Sequence, residues 1–366
     1  MSDLTSKKRY NPNVFNALDG AVAYIAAILA FFIAGLTLPY LFRPLLRAGV
    51  DYFLVNILSA VISQAIIFFI AFIFFKVKRV GVFSGDGYSF KLNAIDVLMA
   101  VMLIFGIDFC FTSLHTDCFE YMEALFCDLW FTIPEEIIKN SNPLYILIYS
   151  LVITPVLPAI CEEMLFRGVV MRGFKERGVP FSIFLSAICF ALMHGSVAMF
   201  ILQFLAGLAI AAVVSLTKNH LYGSIMHWAS NLFITLYALA PSVLATFSTA
   251  LSAVAQAFQA LFGLAFLLIS GYYFLNKLLA KKKREILGTE KSKNFGEKYV
   301  AECFIASSGE VVLKNFDEDF EEIKKDKDNM FKCGDKFVRF NKKSNAIVSL
   351  AVLAAGLIFA VVSLFV

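Results

Sequence analysis

Charged residues are scarce in this sequence: Asp, Glu, Lys and Arg make up 16% of its 366 residues, whereas soluble domains carry about a quarter. This scarcity excludes an ordinary water-soluble globular chain. Apolar residues instead account for 60% of the chain, and the mean hydropathy is +0.77. The net charge of +4 is too small to indicate a nucleic-acid partner. We therefore predict that the protein partners with a lipid bilayer and binds no nucleic acid.

Several short motifs of metal, thiol and serine chemistry are also missing. The seven cysteines form no CxxC pair, and no HExxH zinc pattern occurs. Ser196, in "HGSV", lacks the context of a nucleophile elbow, and no Ser-His-Asp set is evident. Cys118 and Cys127 fall in one predicted polar loop, where a disulfide would form only if the loop faced an oxidising space.

The apolar residues occur in blocks of roughly 18–25, the length that crosses about 30 Å of hydrocarbon as a helix. Blocks of this length in lipid are helices, because the backbone must satisfy its own hydrogen bonds there. We predict an all-α, polytopic helical membrane protein with about eight or nine transmembrane helices and a small soluble α+β insert. The predicted spans are 21–42, 54–75, 93–114, 145–171, 181–199, 201–217, 220–239, 250–276 and 345–366.

Composition divides the chain into predicted segments, of which 284–343 differs most because it mixes charges of both signs with short apolar runs. The segments are N-terminal transmembrane helices (1–144), a central helical core (145–240), an additional transmembrane helix (241–283), a small soluble cytoplasmic insert (284–343) and a C-terminal transmembrane helix (344–366). The first span follows "SKKR", is too long for a signal-peptide core and is expected to be retained.

Basic residues favour one orientation. Runs of Lys and Arg precede the first span and follow the second, fourth, sixth and eighth, so alternating spans place all of them on one side. Because short basic loops stay in the cytoplasm, we predict a multi-pass cell-membrane protein with a cytoplasmic N-terminus.

Apart from the span ends, ionisable residues inside the predicted spans are few. Each costs at least ~2.5–3.5 kcal/mol at membrane depth, so each indicates function or buried pairing. They are Glu162, Glu163, Arg167, His194 and His227, together with Asp108, for which the sequence offers no explanation. "PEEIIK" (134–139) mimics "EEMLFR" but falls in the opposite loop, and His115 and His220 are not expected to be catalytic.

Helical spacing brings these residues together in pairs. Glu163 and Arg167, Phe190 and His194, and His227 and Asn231 are each four residues apart, so each pair shares a helix face. At 1.5 Å per residue, the polar groups of all three helices lie roughly 10–20 Å below the cytoplasmic surface. A shared, water-accessible cavity is the simplest account, although Glu163 with Arg167 could also be a purely structural ion pair.

This combination of side chains suits hydrolysis. A carboxylate and an imidazole can hold a water and take its proton, while a second imidazole and an amide can donate to the oxyanion. Alternatively, Glu162, His194 and His227 could supply three ligands of an open zinc site.

The motifs "EEMLFR", "FALMH" and "HWASN" resemble, in order, the EExxxR, FxxxH and HxxxN motifs of the CPBP family. This family comprises the type II CAAX prenyl endopeptidases and their bacterial relatives, also called the Abi or bacteriocin-processing group. The resemblance covers about residues 145–240 and implies that they form the catalytic core. It implies that Glu162 and His194 activate the water, that His227 and Asn231 form the oxyanion site, and that Glu163, Arg167 and Phe190 support them.

The resemblance implies an intramembrane endopeptidase that cuts a membrane-anchored peptide or protein substrate, either prenylated or bearing a leader peptide. We expect no cofactor, with zinc dependence as the alternative. Two further alternatives are a non-catalytic bacteriocin self-immunity or scaffold protein, and a secondary transporter that uses these residues as a proton relay. A transporter predicts a repeat of the motif region, which the sequence lacks.

Overall fold

The structure is a computed structural model that describes most of the helical chain. The described residues are 15–78, 80–83, 87–126, 135–195, 197–239, 249–294, 300–305, 311–316, 330–333, 336–339, 347–348, 350–352, 354–356 and 358–359. Ser196 and Cys127, and the side chains of His115 and Cys118, lie outside them.

Helices, long and short, account for nearly all of the described residues up to Asn294. Their bounds are α1 Ala17–Arg47, α2 Tyr52–Val77, α3 Ala94–Phe126, α4 Glu135–Asn140, α5 Pro143–Ile148, α6 Thr154–Leu165, α7 Arg172–Phe174, α8 Val179–Met193, α9 Val197–Thr217, α10 His220–Leu239 and α11 Thr249–Asn294. Two π-helical segments, Tyr149–Ile153 and Phe166–Met171, join α5, α6 and α7 into one rod over Pro143–Phe174. A 3₁₀ turn at Lys175–Arg177 leads into α8.

The fold class predicted from the sequence is confirmed: the protein is an all-α, polytopic membrane protein. Six of the described helical segments are long and apolar enough to cross a bilayer. The fifth predicted span, 181–199, is wrong, because α8 has only 15 residues and ends at Met193. Gly195 explains this end, since its φ of 64° closes the helix with a left-handed turn that glycine adopts without strain.

The third span also differs from the prediction. Helix α3 continues to Phe126, so Cys118 lies in a helix and not in the predicted loop. The sequence "EYMEALF" at this end consists largely of good helix formers, which continue the helix beyond the apolar block.

Three contacts join the helix ends that carry or adjoin the basic segments, at one end of the bundle. Lys78 Nζ, after α2, lies 2.9 Å from Asp19 Oδ2 in the first turn of α1. The backbone N–H of His220, at the start of α10, donates to the carbonyl of Gly87 at 3.2 Å. Lys277 of α11 forms an ion pair with Asp96 in the first turn of α3.

The rod Pro143–Phe174 occupies the middle of the bundle. Phe166, Val169 and Val170 are fully buried and belong to a core shared with α1, α2 and α8. π segments occur frequently at functional sites, and here the carbonyl of Phe166 accepts a hydrogen bond from Ser186 Oγ at 3.2 Å. The second core cluster joins α3, α9 and α10 on the other side of the rod.

Helices α3 and α11 approach each other closely at two glycines. A Cβ on Gly263 would lie 2.9 Å from the backbone nitrogen of Cys110, and one on Gly106 would lie 2.9 Å from that of Leu267. Small residues allow such approach between membrane helices. We expect Gly263→Leu to force the helices apart and lower the free energy of unfolding by about 1–3 kcal/mol.

Thermal unfolding in detergent measures this effect. Gly271→Leu is the matched control, because a Cβ there meets nothing within 4 Å. Equal midpoints for the two variants would contradict the proposed contact.

Beyond the bundle, the described residues form two antiparallel hairpins and a short helical stretch. β1 (Val300–Ile305) pairs with β2 (Val311–Phe316), and β3 (Met330–Cys333) pairs with β4 (Lys336–Arg339). The described residues between 347 and 359 are helical, and the Phe359 ring lies edge-on to Phe32 of α1 at 5.8 Å. The predicted domain boundaries stay predictions.

Candidate active site

The polar motifs come from the rod, from the end of α8 and from α10. Glu162 and Glu163 lie in the last turn of α6, and Arg167 lies in the π segment that follows. His194 caps the C-terminal end of α8, whereas His227 and Asn231 lie within α10.

Glu163 and Arg167 form the ion pair that their spacing predicts. Arg167 Nη1 donates to Glu163 Oε1 at 2.7 Å, and both side chains are 0% exposed. Arg167 Nη2 donates to the carbonyl of Gly207 on α9 at 3.0 Å, and its guanidinium carbon lies 4.8 Å from the centre of the Phe190 ring. A buried charge pair costs desolvation, which close contact and these additional partners offset.

His227 connects the two glutamates. Its Nδ1 lies 3.1 Å from Glu163 Oε1, and its Nε2 lies 3.9 Å from Glu162 Oε2. An ionised carboxylate only accepts hydrogen bonds, so Nδ1 carries the proton in this contact. Nε2 therefore faces Glu162 at a distance that is too long for a direct hydrogen bond.

Glu162 points into the protein and not into lipid, with 8% of its surface exposed. Its Oε1 accepts a 2.8 Å hydrogen bond from Nε2 of Gln64, on α2. Its Oε2 is buried and has no hydrogen-bond partner among the described residues. Sequence reasoning missed Gln64, although a glutamine in the middle of an apolar span was a visible signal.

The Phe190 ring contacts both His194 and His227. Its centre lies 4.8 Å from the His194 ring and 5.4 Å from the His227 ring. His194 Nδ1 lies 2.8 Å from the Phe190 carbonyl oxygen, so it carries the proton and Nε2 keeps the lone pair. Within the described part of the chain, no hydrogen bond or ion pair joins His194 to Glu162.

Asn231 follows His227 by one turn on α10 and is half-buried. Its Nδ2 donates a long, 3.4 Å hydrogen bond to the carbonyl of Thr154, where α6 begins. The amide thus lies between the rod and α10, and its second N–H remains for another acceptor.

Asp108, unexplained by the sequence, has a partner in the structure. Ser230 Oγ of α10 donates to Asp108 Oδ1 at 3.0 Å, and the aspartate is fully buried. The hydrogen bond joins α3 to α10, the helix that carries His227 and Asn231. Its donor, Ser230, directly precedes Asn231 in the chain.

Two described residues that the sequence does not predict to be catalytic, Glu136 and His220, lie outside this cluster. Glu136, in "PEEIIK", is exposed on the short helix α4. His220 is buried at the start of α10 against the ring of Tyr88. Burial raises the pKa of the Tyr88 phenol above its ordinary value, while its hydrogen bond with Ser224 Oγ opposes the rise.

The arrangement of the side chains does not support the alternative zinc site. Among the described residues, no group of three or more His, Cys, Asp or Glu side chains is positioned to hold a metal ion. Glu162, His194 and His227 therefore do not fit zinc as they stand, and no step below passes through a metal.

The fold and this buried cluster define a polytopic membrane protein with a polar site inside its helix bundle. Residues 143–233 match the family model described as Type II CAAX prenyl endopeptidase Rce1-like, so this part of the chain is similar to that family. The match covers about a quarter of the chain and includes every predicted site residue. No match to this chain was found among curated proteins or solved structures.

The family places the domain among CAAX-type intramembrane endopeptidases, which are membrane proteases that act on membrane-associated substrates. The comparison does not address a bacteriocin-immunity role, which stays a prediction.

Proposed function

We propose that the protein hydrolyses a peptide bond of a membrane-anchored substrate with a water activated by Glu162. The observation that carries this proposal is the buried arrangement of Glu162, Glu163 and His227, with 3.9 Å between Glu162 Oε2 and His227 Nε2. A buried carboxylate oxygen without a partner among the described residues, facing an imidazole nitrogen, suits a bound water.

In the proposed reaction, the water oxygen attacks the scissile carbonyl carbon while Glu162 takes a water proton. His194 assists as the second acceptor, because its Nε2 carries the lone pair in the tautomer that its contact with Phe190 requires. The proton then passes to the leaving amine as the C–N bond breaks. A positioned base of this kind contributes about 10²–10⁴-fold to rate.

His227 and Asn231 would stabilise the oxyanion. Glu163 accepts from His227 Nδ1 and holds the ring with Nε2 toward Glu162, where a proton on Nε2 would donate to the developing charge. Asn231 would donate its second amide hydrogen. Arg167 and Phe190 hold Glu163 and both imidazole rings in place through the contacts described above.

Reconstituted protein tests this function directly. We expect proteoliposomes to cleave internally quenched peptides that end in a prenylated Cys-aliphatic-aliphatic-X sequence, with the cut located by mass spectrometry. Matched peptides without the prenyl group show whether the lipid is required. Failure to cut any peptide of the panel would overturn the endopeptidase proposal and favour the non-catalytic alternative.

Zinc dependence has its own measurement. We expect cleavage to continue after dialysis against a strong chelator, since the mechanism above needs no metal. Activity that disappears with the chelator and returns with added zinc would replace this mechanism with the zinc-dependent one.

We also propose that the site opens to the cytoplasm. The basic segments at one end of the bundle support this, because short basic loops remain on the cytoplasmic side.

A further inference from the structure

Gln64 forms a hydrogen bond to the predicted site from outside the matched domain. It lies on α2, whereas the Rce1-like match covers residues 143–233. Its Nε2 donates to Glu162 Oε1 at 2.8 Å, and Gln64 and Glu162 are each 8% exposed. The site glutamate is therefore held by a helix that the family match does not include.

Gln64 lies on an apolar, buried face of α2, where an apolar side chain would also pack. Ile67, Ala71 and Phe75 follow at helical spacing on the same face, and all three are buried. Phe75 packs closely on the rod, since a Cβ on Gly168 would lie 3.0 Å from its ring. These apolar contacts dock α2 without Gln64, so the amide is not needed to bring the helices together.

Burying an amide among apolar side chains costs free energy unless its polar atoms find partners. Gln64 Oε1 is buried and has no partner among the described residues, so Glu162 is the only hydrogen-bond partner that they offer this side chain. The direction of the bond is set by the ionised carboxylate, which can only accept. The amide thus holds Oε1 and fixes the carboxylate plane, leaving Oε2 toward His227.

We propose that Gln64 is a positioning residue for Glu162, so that α2 completes the active site of the Rce1-like domain. This inference rests on the proposed function for its catalytic consequence. The contact itself can be tested without any substrate.

Gln64→Met removes the donor and keeps a side chain of similar length. We expect kcat on the prenylated quenched peptide to fall about 10- to 100-fold, the size of losing a hydrogen bond to a charged group, with KM changed less than threefold. Gln64→Glu keeps the shape but replaces the donor with a second carboxyl group, and we expect it to lower kcat at least as much.

The matched control is Gln259→Met. Gln259 Nε2 donates to Thr112 Oγ1 at 2.5 Å between α11 and α3, away from Glu162. This variant also loses an interhelical hydrogen bond, here a partly buried one, so we expect the thermal unfolding midpoint to fall in both methionine variants while only Gln64→Met loses kcat. If kcat falls equally in the two, or in neither, the positioning role is overturned.

Labelling with dicyclohexylcarbodiimide separates this inference from the proposed function. The reagent enters membranes and modifies protonated carboxyl groups, and mass spectrometry locates the product. Because Gln64→Met leaves Glu162 Oε1 without its hydrogen-bond donor and open to the reagent, we expect this variant to speed modification of Glu162 several-fold and to leave modification of Asp108 unchanged. Faster labelling supports the contact even if the wild-type protein cuts no peptide; an unchanged Glu162 rate overturns it.

Discussion

Replacing Glu162 with glutamine should abolish nearly all hydrolysis, lowering kcat/KM by about 10³-fold. Glutamine keeps the size of the side chain and its contact with Gln64 but cannot take a proton from water, and a general base contributes about 10²–10⁴-fold. The measurement is the initial rate of cleavage of the quenched peptides by protein in proteoliposomes, with each variant reconstituted at equal amounts.

Glu136→Gln is the matched control for this substitution. Glu136 belongs to "PEEIIK", the sequence that mimics the site motif, but it is exposed on α4. We expect this variant to keep wild-type rates. A Glu162→Gln protein that still cleaves at more than a tenth of the wild-type rate would remove Glu162 from the mechanism.

The second large effect is on stability. Arg167→Met should lower the free energy of unfolding by about 3–5 kcal/mol, because it leaves the fully buried carboxylate of Glu163 without its cation. The change is measured by thermal or denaturant unfolding in detergent micelles. The double variant Glu163→Gln with Arg167→Met should recover part of the loss, since it removes the unpaired charge.

Lys78→Met is the comparison for Arg167→Met, because it removes an ion pair at the end of the bundle. Lys78 is 29% exposed and pairs with Asp19 at 2.9 Å, so solvent screens the interaction and its loss should cost about 0–1 kcal/mol. Equal destabilisation by Arg167→Met and Lys78→Met would show that burial does not set the strength of the Glu163–Arg167 pair.

Local patterns in the sequence predicted much of the helical bundle and one pair within the site. Apolar blocks of membrane length predicted α1, α2 and the rod because a buried backbone has few alternatives to a helix. The four-residue spacing of Glu163 and Arg167 predicted their contact, since helix geometry alone sets that distance.

Contacts between distant segments were not predictable in the same way. The bond of Gln64 to Glu162 joins residues 98 positions apart, and that of Ser230 to Asp108 joins residues 122 apart. Sequence periodicity shows which face of a helix is apolar, but it does not show which neighbour that face meets. The early end of α8 was missed for a different reason, because a single glycine interrupts an otherwise apolar run.

The sequence by itself determined that this protein is a helical membrane protein whose polar motifs are spaced to share helix faces, because hydrophobic length and helical spacing are local properties. Only the tertiary structure decided that His227 contacts Glu163 and faces Glu162, and that α2 supplies Gln64. These contacts depend on how the helices pack and rotate against one another, which is a property of the whole bundle.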